Sequence, residues 1–249
     1  MESTPVRPTA VPLPHRHRPP LSEAVIRSLV TEIVIGTYPP GSPLPSAGML
    51  GEHYQVSRTV IREATTALTE KGLVATRQGW GTVVLDQDQW SLLDPMVLDA
   101  LFQRDDRLVY LDNLIEIRSL LECEMAARAA EHIDDAGRRE LRTRLDRLSE
   151  LHDDPEGYSQ ADIEFHECIH HISKDAFGRA IVRSIQGKAV RSPQYRSHPD
   201  AEEIRLTHAA HTRIAEAIID QDADGAAAAM REHITSSWQR RRPSAVAQD

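Results

Sequence analysis

Asp162, His166, His211 and His233 are the residues of this chain whose types and spacing could do chemistry. Asp162 and His166 are four apart, so both project from one face of a helix. His211 and His233 lie twenty-two apart, in a stretch that reads as two helices joined by a short turn. Three neutral imidazoles and a carboxylate can surround a divalent cation, and they can leave room for water or a ligand. Such an ion could activate water, hold a signal molecule or simply staple helices together. Each of the four sits at or beside an apolar stripe. Asp162 and His166 run with Ile163, Ile169 and Ile172, His211 with Ile214 and Ile218, and His233 with Ala226 and Met230. A lone buried histidine is usually a satisfied core residue. Four such groups facing one interior include an aspartate that is costly to bury unpaired, which favours a metal.

The elements that must position these groups are helical. Aromatics make up only 4 % of the 249 residues, and the Ala-, Leu-, Arg- and Glu-rich remainder favours helix. Seven helical patterns fill 92–102, 108–132, 135–152, 157–172, 176–190, 202–220 and 223–240. Short loops between them predict an antiparallel bundle over 92–240, followed by a flexible tail at 241–249. In the longest helix the apolar residues Leu111, Leu114, Ile115, Ile117, Leu120, Leu121 and Met125 are expected inside. No apolar run is long enough to cross a membrane, and the N-terminus lacks the apolar stretch of a signal peptide. Cys123 and Cys168 lack metal-ligand spacing and read as buried, inert thiols of a protein in a reducing cytoplasm.

The first third of the chain has another character. Residues 1–20 are rich in proline and predict a disordered arm. Helical spacing over 21–35 ends at Gly36, and a short helix capped by Ser46 runs to Tyr54. A tight turn then leads into a third helix capped by Ser57 and ended by Gly72. Extended runs at 73–77 and 82–85 flank Gln78-Gly79-Trp80-Gly81 as a hairpin, and 86–91 is a linker. Together these make a winged helix-turn-helix over 21–85, whose third helix would enter the major groove of double-stranded DNA. Arg58 and Arg62, four apart, lie on its outer face with Thr59 and Thr66, while Ile61, Ala64, Thr65 and Leu68 face inward. The two arginines can bond guanine, or they can be solvated charges on an ordinary helix. Ser57 and Thr59 can donate to phosphate, and Gly79 lets the hairpin backbone approach DNA closely. Charge divides the same way: residues 1–85 carry 8 Lys/Arg against 6 Asp/Glu, and residues 86–249 carry 21 against 32.

Three motifs occur in order: Pro40-Gly41-Ser42-Pro43-Leu44-Pro45-Ser46, then Val56-Ser57-Arg58-Thr59-Val60-Ile61-Arg62-Glu63-Ala64, then Gly79-Trp80-Gly81-Thr82-Val83-Val84. This order resembles the GntR family of bacterial repressors. The resemblance implies that Arg58, Thr59, Arg62 and Gly79 contact DNA, beside the Ser57 expected at phosphate. One departure stands out: Ala47-Gly48 occupies the place where the family usually carries Glu-Arg, which removes one DNA anchor or changes specificity. Downstream, Glu116-Ile117-Arg118 with Leu121-Glu122, Asp162-x-x-Phe165-His166, His208-x-x-His211 and Met230-x-x-His233 resemble the FCD effector domain of FadR-type members. That resemblance implies that Asp162, His166, His211 and His233 bind a divalent ion. Zinc is the first choice, with nickel or manganese open. It also implies a carboxylate effector at the metal, with Arg118 as its partner, and a homodimer. Alternatively Arg118 pairs with Glu122 along its own helix. His170, His171 and His208 lie near ligand positions, as supporting groups or as surface. Trp90-Ser91-Leu92-Leu93-Asp94-Pro95-Met96-Val97-Leu98 resembles the linker of sugar-acid regulators of the galactonate or gluconate type. Against sensing stands a metal-dependent hydrolase, for which Glu167 would be the candidate base.

Overall fold

The structure, a computed structural model, describes residues 21–104, 108–189 and 199–242. The arm expected at 1–20 lies outside the described residues, as does the tail expected at 241–249 except for its first two residues, of which Arg241 ends the last helix and Arg242 bonds Asp112. The chain divides into two compact units between Ser91 and Leu92.

The first unit contains α1 (Leu21–Val34), α2 (Ala47–Tyr54), α3 (Arg58–Glu70) and an antiparallel hairpin of β1 (Val74–Arg77) and β2 (Gly81–Val84). Gly36, at φ +87°, takes the left-handed conformation that ends α1. Ser46 and Ser57 cap the next two helices, their hydroxyls accepting from the N–H groups of Met49 and Val60, each at 3.3 Å. The turn between those helices is tight enough that a Cβ on Gly51 would sit 3.1 Å from the Val56 carbonyl oxygen. Ile61, Ala64 and Leu68 pack with Leu29, Val30 and Ile33 of α1, and Leu73, Val74, Val83 and Val84 complete the buried set. Thr65, expected inside, is only half-buried. Its hydroxyl donates to the Ile61 carbonyl along the helix instead of entering the core.

The second unit is helical throughout its described residues: α4 (Pro95–Arg104), α5 (Val109–His132), α6 (Asp135–Glu150), α7 (Pro155–Ile172), α8 (Ala176–Ala189), α9 (Ala201–Ile219) and α10 (Ala223–Arg241). A shared device starts four of these helices. Asp134, Asp154, Asp175 and Asp222 each accept the N–H of a glycine three residues on, at 2.7 to 3.0 Å. A Cβ at Gly157 or Gly225 would meet the capping carboxylate as it is placed here, so a larger residue at either position would require that side chain to shift. At α9 the cap is reciprocal, with Glu203 bonding back to Asp200. Helix α5 is central, packing against α7, α8, α9 and α10. Its N-terminal end is clamped to the end of α10, where Asp112 accepts from Trp238 Nε1 at 2.8 Å and from Arg242 at 2.8 and 3.0 Å.

Helix α5 corrects one expectation. Ile117 and Leu120 are 47 % and 67 % exposed, while Glu122 is 0 % exposed. Leu120 stands nine residues from Leu111, half a turn around the helix, whereas Glu122 stands eleven away, three whole turns. The buried face therefore passes through Glu122, and hydrophobicity alone picked the wrong side. Cys123 is buried as expected. Cys168 is only half-buried, and burial still pushes its thiol up to about 11, so it stays protonated. No helix among the described residues is long and apolar enough to cross a membrane.

Candidate functional site

Helix α7 presents Asp162, His166 and His170 at successive four-residue steps, one stripe turned toward the bundle interior. His211 projects from α9 and His233 from α10 to meet it. One ring nitrogen from each of His166, His211 and His233 lies within 4.8 Å of the others, and all three side chains are buried. Asp162, less deeply placed, reaches the group through His211, its Oδ1 lying 3.2 Å from Nε2. The four residues singled out by spacing thus come together, three at the centre and one at the edge.

Their electrostatics are those of ligands rather than charges. Burial pushes His211 down to about 3, although Asp162 pulls the other way. Burial, then His211 and His166, hold His233 well below the ordinary histidine range. Both rings are therefore neutral near pH 7. His166 Nε2 faces His233 Nε2 at 3.2 Å, close to the separation of about 3.3 Å between two nitrogens on a tetrahedral zinc. In fully buried His211, Nδ1 has no hydrogen-bond partner, and Nε2 has the Asp162 carboxylate at 3.2 Å without hydrogen-bond geometry. Leaving a buried imidazole unsatisfied is costly, and a divalent cation would remove that cost. The donor set fits one.

Glu122 is the residue that sequence reasoning did not select. Buried on α5, its Oε2 lies 3.1 Å from His166 Nδ1 and 3.2 Å from His170 Nε2, and its Oε1 accepts from Arg118 Nε at 2.7 Å. Burial alone would raise this carboxyl. Arg118 and the two histidines outweigh it and hold Glu122 well below the usual carboxylate range. Glu122 thus lies on the Nδ1 side of His166 while Nε2 faces His233, so a proton held at Nδ1 would leave the Nε2 lone pair toward the other histidines. The available signal was an acidic residue inside the run Leu120-Leu121-Glu122-Cys123, one turn after Arg118.

Arg118 accordingly makes the intrahelical pair with Glu122. It also lines a small cavity of about 40 Å³ together with Asp162, His166, His233, Thr207 and Arg241. The Thr207 hydroxyl is buried there without a hydrogen-bond partner. Of the weaker histidines, His170 belongs to the Glu122 cluster and His171 is exposed. His208 is half-buried, its ring 5.2 Å from that of His152. Glu167 pairs with Arg183 at 3.5 Å rather than with a metal-ligand candidate.

In the first unit Arg58, Thr59 and Arg62 are exposed on α3, and the Ser57 hydroxyl is engaged in capping it. Gly79 and Gly81, at φ +80° and +76°, shape the exposed hairpin tip. A Cβ on Gly48 would lie 3.7 Å from the Arg58 guanidinium, an ordinary contact, so position 48 adjoins Arg58 at the start of α2.

Residues 21–84 match the bacterial regulatory proteins of the gntR family, and residues 113–236 match the FCD domain. The chain is 30 % identical over 208 residues to the uncharacterized HTH-type transcriptional regulator YieP of Escherichia coli (strain K12), covering 83 % of this chain and 89 % of that protein. This chain belongs to the GntR family. It is also 29 % identical over 231 residues to the galactonate operon transcriptional repressor of Escherichia coli (strain K12), covering 88 % of this chain and 96 % of that one. A solved structure of Lar, which controls expression of the Listeria monocytogenes agr system, shares the fold. Its TM-score is 0.55 at 18 % identity, over 89 % of this chain and 96 % of that one. The matched domains and relatives are transcription regulators, so this GntR-family protein is a DNA-binding regulator and not a hydrolase.

Proposed function

We propose that this GntR-family protein is a metal-dependent repressor that binds a pseudo-palindromic operator as a homodimer and is released by a small carboxylate, of which a sugar acid is the favoured class. The observation that carries this reading is the trio of buried histidines beside a cavity walled by two arginines. In it, residues 21–85 read DNA, with Arg58 and Arg62 on base edges and Ser57, Thr59 and Gly79 at phosphate or groove. His166, His211, His233 and Asp162 hold a divalent ion, zinc first among candidates, which supplies a Lewis-acid anchor for a carboxylate. Arg118 and Arg241 add cationic partners for the same group, and Thr207 offers a hydroxyl. The 29 % identical relative named for the galactonate operon supports the sugar-acid class.

The small volume supports a switch. A cavity of about 40 Å³ holds roughly three waters. A larger acid must displace a wall, and the state that accommodates it is thereby favoured by its differential affinity. A coupling of about 1–3 kcal/mol to operator binding suffices for regulation.

Calorimetric titration with galactonate and gluconate, with and without a chelator, tests the reading. The expected result is heat without turnover that disappears when metal is stripped. Binding indifferent to the chelator sinks the metal-dependent reading, and a metal that is present without any acid binding leaves only a structural staple.

A further inference from the structure

A second and much larger cavity, about 640 Å³, lies beyond the C-terminal half of α7, among residues at the end of α5 and the starts of α6 and α8. Its volume falls in the range of small-molecule sites. The walls that matter here are His132, His170, His171, Lys174, Arg179 and Glu140. The acids around it are already engaged. Asp134 and Asp175 cap their helices through Gly137 N–H at 2.7 Å and Gly178 N–H at 2.9 Å, and Glu140 accepts from Arg144 at 2.8 Å.

Two of its cationic or polar walls are incompletely engaged. Arg179 meets His171 Nδ1 through Nη1 at 3.2 Å, but its Nε is buried with no hydrogen-bond partner. His170, 1 % exposed, turns Nε2 to Glu122 and keeps Nδ1 buried and unpartnered. A ring that donates Nε2–H to a carboxylate offers a lone pair at Nδ1, so this position accepts rather than donates. Arginine and lysine at one point and an acceptor at another define a ligand with a negative group and a hydroxyl.

We propose that this cavity is a second ligand site, for a small hydroxylated anion such as a hydroxycarboxylate or hydrogen phosphate, and that its occupancy is felt at the histidine trio through His170, Glu122 and His166. The site itself is independent of the metal reading; the coupling rests on it. His170 is the hinge of the connection, because it lines the cavity and shares Glu122 Oε2 with His166, at 3.2 and 3.1 Å. The small cavity beside Arg118 and the large one beside Arg179 thereby flank successive turns of α7.

The test is calorimetric titration of the full chain with inorganic phosphate, L-malate and succinate, the last lacking the hydroxyl. Saturable binding of phosphate or malate is expected, with succinate weaker by about tenfold for the lost hydrogen bond. The tighter of the first two identifies the chemistry. Arg179→Gln and Lys174→Asn, both away from the core, should each weaken binding about tenfold with the helical circular dichroism unchanged. Unchanged affinity in Arg179→Gln, equal binding of succinate, or no saturation by either anion overturns the site. For the coupling, phosphate affinity should differ about fivefold or more between metal-loaded protein freed of excess metal and metal-stripped protein. Equal affinities in the two forms overturn it, and a chain that takes up no metal would fail the metal reading alone, leaving the first titrations to stand.

Discussion

The two units place their polar chemistry on opposite sides of their cores. In the DNA-reading unit Arg58, Thr59 and Arg62 stand on the outer face of α3, and the inner face is apolar. In the helical bundle the order is reversed: Glu122, His166, His170, His211 and His233 are buried in it. Under the proposed function the difference follows from what each must meet. A DNA groove approaches from outside and is met by solvated cations. A metal or a small carboxylate is held by groups desolvated beforehand, where an unpaired charge is expensive and an ion pair strong. Function in the first unit is therefore nearly free of stability, and in the second the two are one network.

The sharpest way to break this comparison is Glu122→Ala. It strands Arg118, His166 and His170 together and should cost about 3–5 kcal/mol in urea unfolding of the bundle. A loss below about 1 kcal/mol would show that the buried network is not structural. On the outer face, Arg62→Ala should weaken operator binding by about 1–3 kcal/mol in a gel-shift titration, while metal content and unfolding midpoint stay as in the parent. Retained specific binding would remove α3 from the recognition role. The gentlest perturbation is pH. His211 and His233 have folded values depressed below the unfolded histidine value, so their contribution is complete above about pH 6.5 and is lost as pH falls toward the folded value, about 3 for His211. Metal-free protein should lose up to about 1.4 kcal/mol per pH unit for each histidine below pH 6.5. His233→Gln should flatten that slope, and an unchanged slope would mean that the ring titrates normally in the folded chain.

Periodicity made most of the fold legible. Caps such as Ser57 and Asp200 and stops such as Gly36 are local, and a local signal survives in the chain itself. Asp162 and His166 were legible as a pair because four residues is a helix turn. His211 and His233 were legible only as two residues on inward stripes, and it took the packing of α7, α9 and α10 to make them neighbours. Glu122 escaped because an acid in an apolar run reads as surface, and the leucine two places before it as core. The burial of Ile117 and Leu120 was misjudged for the same reason.

What the sequence by itself determined is the winged helix-turn-helix, the all-helical bundle and the kind of residues that could bind an ion. All of these rest on spacing along one helix or on a turn within a few residues. What only the tertiary structure decided is which side of α5 is inside, that Glu122 lies against both His166 and His170, and that Arg118 and Arg241 share a cavity. Those facts depend on where separate helices cross. Long-range packing chooses that, and no periodicity within a single helix encodes it.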